Sequence, residues 1–171
     1  MSELDDRERV VVGVDGSPGS LTALKFAFDE AKRRSIGLLV VTAFEIPDIR
    51  SVGKGLAVSR PEHELRDNAR EDTRREVAEA LGDRMTADGA PEIDVVARRG
   101  GAVHVLVTAA AGNPLLVVGR RGRGGFRSML LGSVSLQCVL HAPCPITVVH
   151  SAADRDHSQV PPSHTRPQAG P

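Results

Sequence analysis

Residues 9–18 read Arg-Val-Val-Val-Gly-Val-Asp-Gly-Ser-Pro. Val10 to Val14 form a short, β-branched, nearly continuous apolar run, the pattern of a strand buried on both faces. Immediately afterwards Gly16 allows a sharp turn, Ser17 can cap a helix, and Pro18 suits the first helical position. Leu21, Leu24, Ala27, Phe28 and Ala31 then recur at helical spacing. A buried strand therefore passes through a tight turn straight into a helix whose apolar stripe can cover it.

The same alternation runs outward along the chain. Gly37 is expected to end the first helix, and Leu38 to Phe44 to form a second buried strand stopped by Pro47. Residues 45–60 follow neither period and read as a loop. From Pro61 to about Met85 the chain is charged, with Leu65, Ala69, Val77, Ala80 and Leu81 on one stripe of a long surface helix. Ile93–Ala97 reads as a third strand, and Val103, Leu106, Val107 and Ala110 as a short helix after the Gly100-Gly101 break. Asn113-Pro114 turns the chain into a fourth strand, Leu115–Val118, and a Gly/Arg loop spans 119–132. Val134, Cys138 and His141 fall along one face of a last helix, and Ile146–Val149 is a fifth strand after Pro143 and Pro145.

With right-handed crossovers, five strands alternating with four helices give an α/β domain: a doubly wound five-stranded parallel sheet with helices on both faces. Residues 1–8 are expected to be an N-terminal tail and 9–150 one domain. Residues 151–171, which hold four of the eleven prolines and almost no apolar side chains, are expected to be a disordered tail.

Composition narrows the function. The chain has 171 residues, with 22 Lys+Arg balancing 22 Asp+Glu, and no Trp or Tyr. Zero net charge and four Phe argue against a nucleic-acid binder, which needs a basic surface or stacking platforms. Two cysteines make no disulfide framework, the opening MSELDDRERV reads as no signal peptide, and no apolar run reaches the ~18 residues of a membrane span. A cytoplasmic protein is expected. The charge is unevenly placed: residues 95–153 carry Arg98, Arg99, Arg120, Arg121, Arg123 and Arg127 and no acid at all. That is either a solvated basic face or a local field for an anion.

Ligands of open α/β sheets bind outside the carboxyl ends of the strands, where strand order switches. Here that rim holds Asp15 after the first strand and the loop from Gly119 after the fourth. Glycines let backbone amides approach a ligand, a helix start offers free N–H groups, and Ser133 adds a hydroxyl that can cap the helix or donate to a phosphate. On composition alone, an anion cradle and an ordinary surface loop with Ser133 as its cap stand about level.

The spacing Gly119-x2-Gly122-x9-Gly132-Ser133 resembles the nucleotide-binding signature of the universal stress protein family. Its flanks fit too, with Leu115-Leu116-Val117-Val118 before and His141-Ala142-Pro143-Cys144-Pro145-Ile146 after, and the likeness covers residues 9–150. The resemblance implies a flavodoxin-like fold with strand order 3-2-1-4-5, a homodimer paired through the fifth strand, and bound ATP accompanied by magnesium. It places Asp15 near the adenosine moiety, Gly13 where the nucleotide passes close, and Ala43 where backbone meets the adenine edge. Gly119 and Gly122 fall at the ribose and phosphate turn; Gly132, Ser133 and Val134 fall at the triphosphate-facing helix start. Arg123 belongs with these as a phosphate-side charge. Arg120 departs from the small residue usual there, so that its side chain is expected either in solvent or on a phosphate.

Other chemistries fit less well. No Walker A loop occurs, since Gly53-Lys54-Gly55 is too short; Gly122-x-Gly124 meets Arg127 where the dinucleotide fingerprint needs glycine; and no G-x-S-x-G elbow surrounds Ser133. The six histidines do not cluster at ligand spacing, and no protein metal site is expected. Asp15 is the only acid the sequence places on the rim, so binding with slow hydrolysis at most is expected, not turnover. The sequence therefore points to an ATP-binding, nucleotide-responsive regulatory module in stress response. Its rival is a homodimeric interaction protein with a structural glycine loop and no need of nucleotide.

Overall fold

The computed structural model describes residues 8–46, 60–122 and 131–151. Along them run β1 (Arg9–Gly13), α1 (Pro18–Arg34), β2 (Gly37–Phe44), α2 (Glu62–Leu81), β3 (Ile93–Arg99), α3 (Ala102–Ala110), β4 (Leu115–Gly119), α4 (Ser133–His141) and β5 (Ile146–Val149). The strands form one sheet in the order β3-β2-β1-β4-β5, and every neighbouring pair is parallel. This is the doubly wound, flavodoxin-like arrangement expected from the sequence.

The unbroken apolar runs explain why helices lie on both faces. Side chains alternate across a strand. Val10 and Val12, Leu38 and Val40, and Leu115 and Val117 therefore join the core beneath α1 and α2. Their neighbours Val11, Leu39, Val41, Leu116 and Val118 join a second core beneath α3 and α4. Each layer needs its own apolar stripe. Leu24, Ala27, Phe28 and Ala31 of α1 with Val77 and Leu81 of α2 supply one, and Val105, Leu106, Ala110 and Cys138 supply the other.

Three boundaries differ from the sequence expectation, each for a local reason. Gly37 does not end α1 but opens β2, paired with Arg9. Ser35 is the C-cap, at φ 55°, with the Ser35 N–H bonded to Lys32 O and the Ile36 N–H to Ala31 O. A serine thus takes the left-handed position that glycine usually fills. The long helix stops at Leu81, because Gly82 at φ 51° starts a single 3-10 turn through Met85. β3 continues two residues past Ala97, since Arg98 and Arg99 pair with Ala43 and Phe44. Of the expected 45–60 loop, residues 47–59 lie outside the described residues, as does the expected tail from residue 152. Among the described residues, no helix is long and apolar enough to cross a membrane.

Candidate functional site

The turn after β1 is built around Asp15. Its Oδ1 accepts the Ser17 N–H at 3.1 Å and the Ser17 hydroxyl at 2.6 Å. Ser17 Oγ in turn accepts the Ser20 N–H at 3.2 Å, capping α1, and Ser20 Oγ donates to Ser17 O at 2.9 Å. The Asp15 N–H points back to Ser20 Oγ at 3.3 Å, and the Val14 N–H is held by Val41 O at 2.9 Å. One face of the Asp15 carboxylate thus stabilises its own turn. Its other oxygen, Oδ2, lies beside Gly122, where an added Cβ would stand only 2.5 Å away.

The start and finish of the β4–α4 loop are tied together at its neck. The Arg120 N–H continues the sheet by bonding Val149 O at 2.8 Å. The Arg120 carbonyl accepts both the Gly132 N–H, at 2.9 Å, and the Ser135 hydroxyl, at 2.9 Å. The Gly132 N–H is therefore committed to the protein and is not available to a phosphate, contrary to the sequence expectation. Nor does Ser133 cap α4: Gly132 is the N-cap, it makes no side-chain cap bond, and Ser133 is already the first helical residue. The hydroxyl doing the local bonding belongs to Ser135, two residues on.

Arg120 takes neither course expected of it. It is only 5% exposed, packed away from solvent, and does not line the cavity; Arg121 does.

These pieces enclose one side of a cavity of about 730 Å³ along the carboxyl ends of the strands. Gly13, Asp15, Ala43, Gly119, Gly122, Gly132, Ser133 and Val134, all singled out from the sequence, line it together. Arg123, the remaining candidate, lies outside the described residues. The space is large enough for a nucleotide-sized ligand, since small-molecule sites run to roughly 300–1,000 Å³. Its floor is apolar, from Val41, Phe44, Leu106 and Val118. α3 and α4 both start at this rim with glycine N-caps and no side-chain cap, whereas α1 is closed by Ser17. The first-turn N–H groups of an α-helix have no acceptor within the helix. At α4, Ser133 and Val134 carry such groups at the cavity wall, with the positive end of the helix behind them.

The glycines divide by purpose. A Cβ on Gly119 would strike the backbone of α1, 2.6 Å from Gly19 C and 2.7 Å from Gly19 O, so Gly119 is there to let strand and helix touch. A Cβ on Gly13 would meet Leu106 Cδ1 at 2.9 Å, so this glycine makes room for an α3 side chain. Gly122 alone of the three borders a functional candidate, Asp15.

Asp15 is not the solitary acid that the sequence placed on the rim. α2 brings Asp72 and Glu76 to the same cavity, with the buried Thr73 between them. In sequence these acids are indistinguishable from the rest of a charged helical face; only the packing of Val77 and Leu81 onto the sheet fixes which side turns toward the rim. No group of three or more His, Cys, Asp or Glu side chains among the described residues could hold a metal ion.

The sequence model of the universal stress protein family matches residues 6–150, most of the chain. The chain belongs to that family. A universal stress protein of Mycolicibacterium smegmatis is 36% identical over 150 residues, which are 85% of this chain and 46% of that protein. This universal stress protein chain thus spans about half the length of the curated relatives it matches. Universal stress protein UspA from Lactobacillus plantarum shares the fold, with a TM-score of 0.67 at 22% identity over 84% of this chain and 97% of that one. A universal stress protein solved in complex with cAMP aligns with a TM-score of 0.57 at 26% identity, over 85% and 98% of the two chains.

Proposed function

We propose that this universal stress protein binds an adenine nucleotide, ATP foremost, in the rim cavity and acts as a nucleotide-responsive module in stress response. The observation that carries the proposal is the uncapped start of α4, opening with Ser133 and Val134 into a cavity that also contains Asp15 and Arg121. The base occupies the apolar floor, a sugar hydroxyl donates to Asp15, and the phosphates lie toward Arg121 and the first turn of α4. The relative solved with cAMP supports an adenine nucleotide as the ligand class. Magnesium would travel with the phosphates: it keeps several waters and takes phosphate oxygens readily. Asp15 spends one carboxylate oxygen on Ser17, so it is a weak candidate for activating water, and binding without appreciable turnover is the proposed activity.

Calorimetric titration of the chain with Mg-ATP tests this. Saturable heat at one site per chain is expected; no heat up to millimolar ATP overturns it.

A pairing of two copies accompanies the proposal. β5 is an edge strand, and beside it α4 exposes Leu136, Val139 and Leu140, the last 63% exposed. An open strand edge flanked by apolar side chains favours a second, two-fold-related copy. Light scattering should give twice the chain mass, and Leu140→Asp should shift it to the monomer; a monomeric parent chain contradicts the pairing.

A further inference from the structure

The β4–α4 loop leaves and rejoins the fold through one buried cluster of hydrogen bonds. The Ser135 hydroxyl stands 2.9 Å from the Arg120 carbonyl and 3.0 Å from the Gly132 carbonyl, in a residue only 3% exposed. A hydroxyl has a single proton to donate, so the two carbonyls share it. Each carbonyl also has a backbone donor of its own: the Gly132 N–H serves Arg120 O and the Leu136 N–H serves Gly132 O, both at 2.9 Å. The chain around this cluster is anchored on both sides. The Arg120 N–H bonds Val149 O, and the next carbonyl, Arg121 O, abuts the first turn of α1, where a Cβ on Gly19 would lie 2.5 Å away.

The cluster sits between the two halves of the wall that faces the phosphates in the nucleotide reading. On one side are Arg121 and Gly122, with Asp15 beside Gly122; on the other are the first-turn N–H groups of Ser133 and Val134. A phosphate that touches both halves gains most when their separation is set in advance, because ordering them on binding costs free energy. The apolar floor belongs instead to β2, β4 and α3, through Val41, Phe44, Val118 and Leu106.

We propose that Ser135 is a positioning residue: its hydroxyl fixes the separation of the Arg121–Gly122 backbone from the start of α4, so that the cavity is preset for a phosphate. Resting on the nucleotide reading of this cavity, this role supplies what holds its phosphate end in register. Asp15 and the apolar floor receive the sugar and the base whether or not the hydroxyl is present.

AMP and adenosine share a base and a sugar and differ by the 5′-phosphate. Both are titrated calorimetrically against the full chain, its Ser135→Ala variant and its Ser135→Thr variant. The alanine variant leaves each carbonyl its backbone donor, so it should fold. It should bind AMP about fivefold more weakly, in line with one lost hydrogen bond, while adenosine stays within about twofold. Ser135→Thr keeps the hydroxyl and should restore AMP binding. An equal loss for both ligands makes Ser135 structural only and overturns the inference, as does no loss for either or a threonine variant as weak as the alanine one. The parent chain gives a measure that needs no variant: a preformed cluster requires the Gly132 amide to resist hydrogen exchange before any ligand is added. Exchange there at the rate of an open loop also overturns the inference. A parent chain that binds neither AMP nor adenosine removes the nucleotide reading, and this inference with it.

Discussion

The carboxylate of Asp15 and the α-carbon of Gly122 close the rim from opposite sides, so near that a methyl group on Gly122 would lie 2.5 Å from Asp15 Oδ2. β1 and β4 are hydrogen-bonded neighbours, so the turns leaving them meet at the switch in strand order. The absence of a side chain at Gly122 is what allows the acid and the loop to share one cavity wall. Gly122→Ala has no left-handed backbone to strain, so its melting temperature should fall only by what moving Asp15 against its bonds to Ser17 costs, less than the fall for Gly119→Ala. By displacing Asp15, it should weaken Mg-ATP binding about tenfold, or ~1.4 kcal/mol, in a calorimetric titration.

Gly119→Ala should behave in the reverse way. Its methyl would meet the Gly19 backbone, which has no flexible side chain to give way. Overpacking of this kind costs about 3 kcal/mol. Urea unfolding should show the loss as a lower midpoint at constant slope, whether or not nucleotide is present.

Ser17→Ala removes the α1 cap and the hydroxyl that donates to Asp15 Oδ1. Loss of such a cap typically costs about 1 kcal/mol. The same variant removes one of the bonds that orient Asp15, so nucleotide affinity should change along with stability. Thermal melts with and without Mg-ATP separate the two effects.

The fold was largely legible because Val10–Val12 of β1, Leu38–Val41 of β2 and Leu115–Val118 of β4 are unbroken apolar runs, the pattern of a strand covered on both faces. The site was legible in part. Asp15 and the spaced glycines are local signals at strand ends, and the structure does bring them to one rim. Glu76 and Asp72 were invisible, because nothing in a charged helical segment reveals which side will tilt toward the sheet's edge. Whether Ser133 caps the helix or faces a ligand is open in the sequence; the structure gives the cap to Gly132 and the local hydroxyl bond to Ser135, neither of which a sequence signal marks. Arg120 was expected in solvent or on a phosphate, whereas its backbone extends the sheet through Val149 and its residue is buried there.

The two thiols should differ in reactivity. Burial pushes both the Cys138 and Cys144 thiols above the ordinary range. A raised thiol pKa leaves less thiolate at neutral pH, so both should label more slowly than free cysteine near pH 7 and faster as pH rises. Cys138 is fully enclosed in the core beneath α4, while Cys144 is partly open. A chromogenic disulfide reagent should therefore modify Cys144 first and reach Cys138 only on unfolding. Equal rates in the folded chain would show that the α4 layer opens readily.

In the proposed complex, α4 begins where a nucleotide's phosphates end. The most direct measurement is an amide chemical-shift titration of the isotopically labelled chain with Mg-ATP. The N–H signals of Gly122, Ser133 and Val134 should move together and saturate with a single affinity. If ATP binds but these signals stay fixed while others shift, the nucleotide sits elsewhere and the account is contradicted.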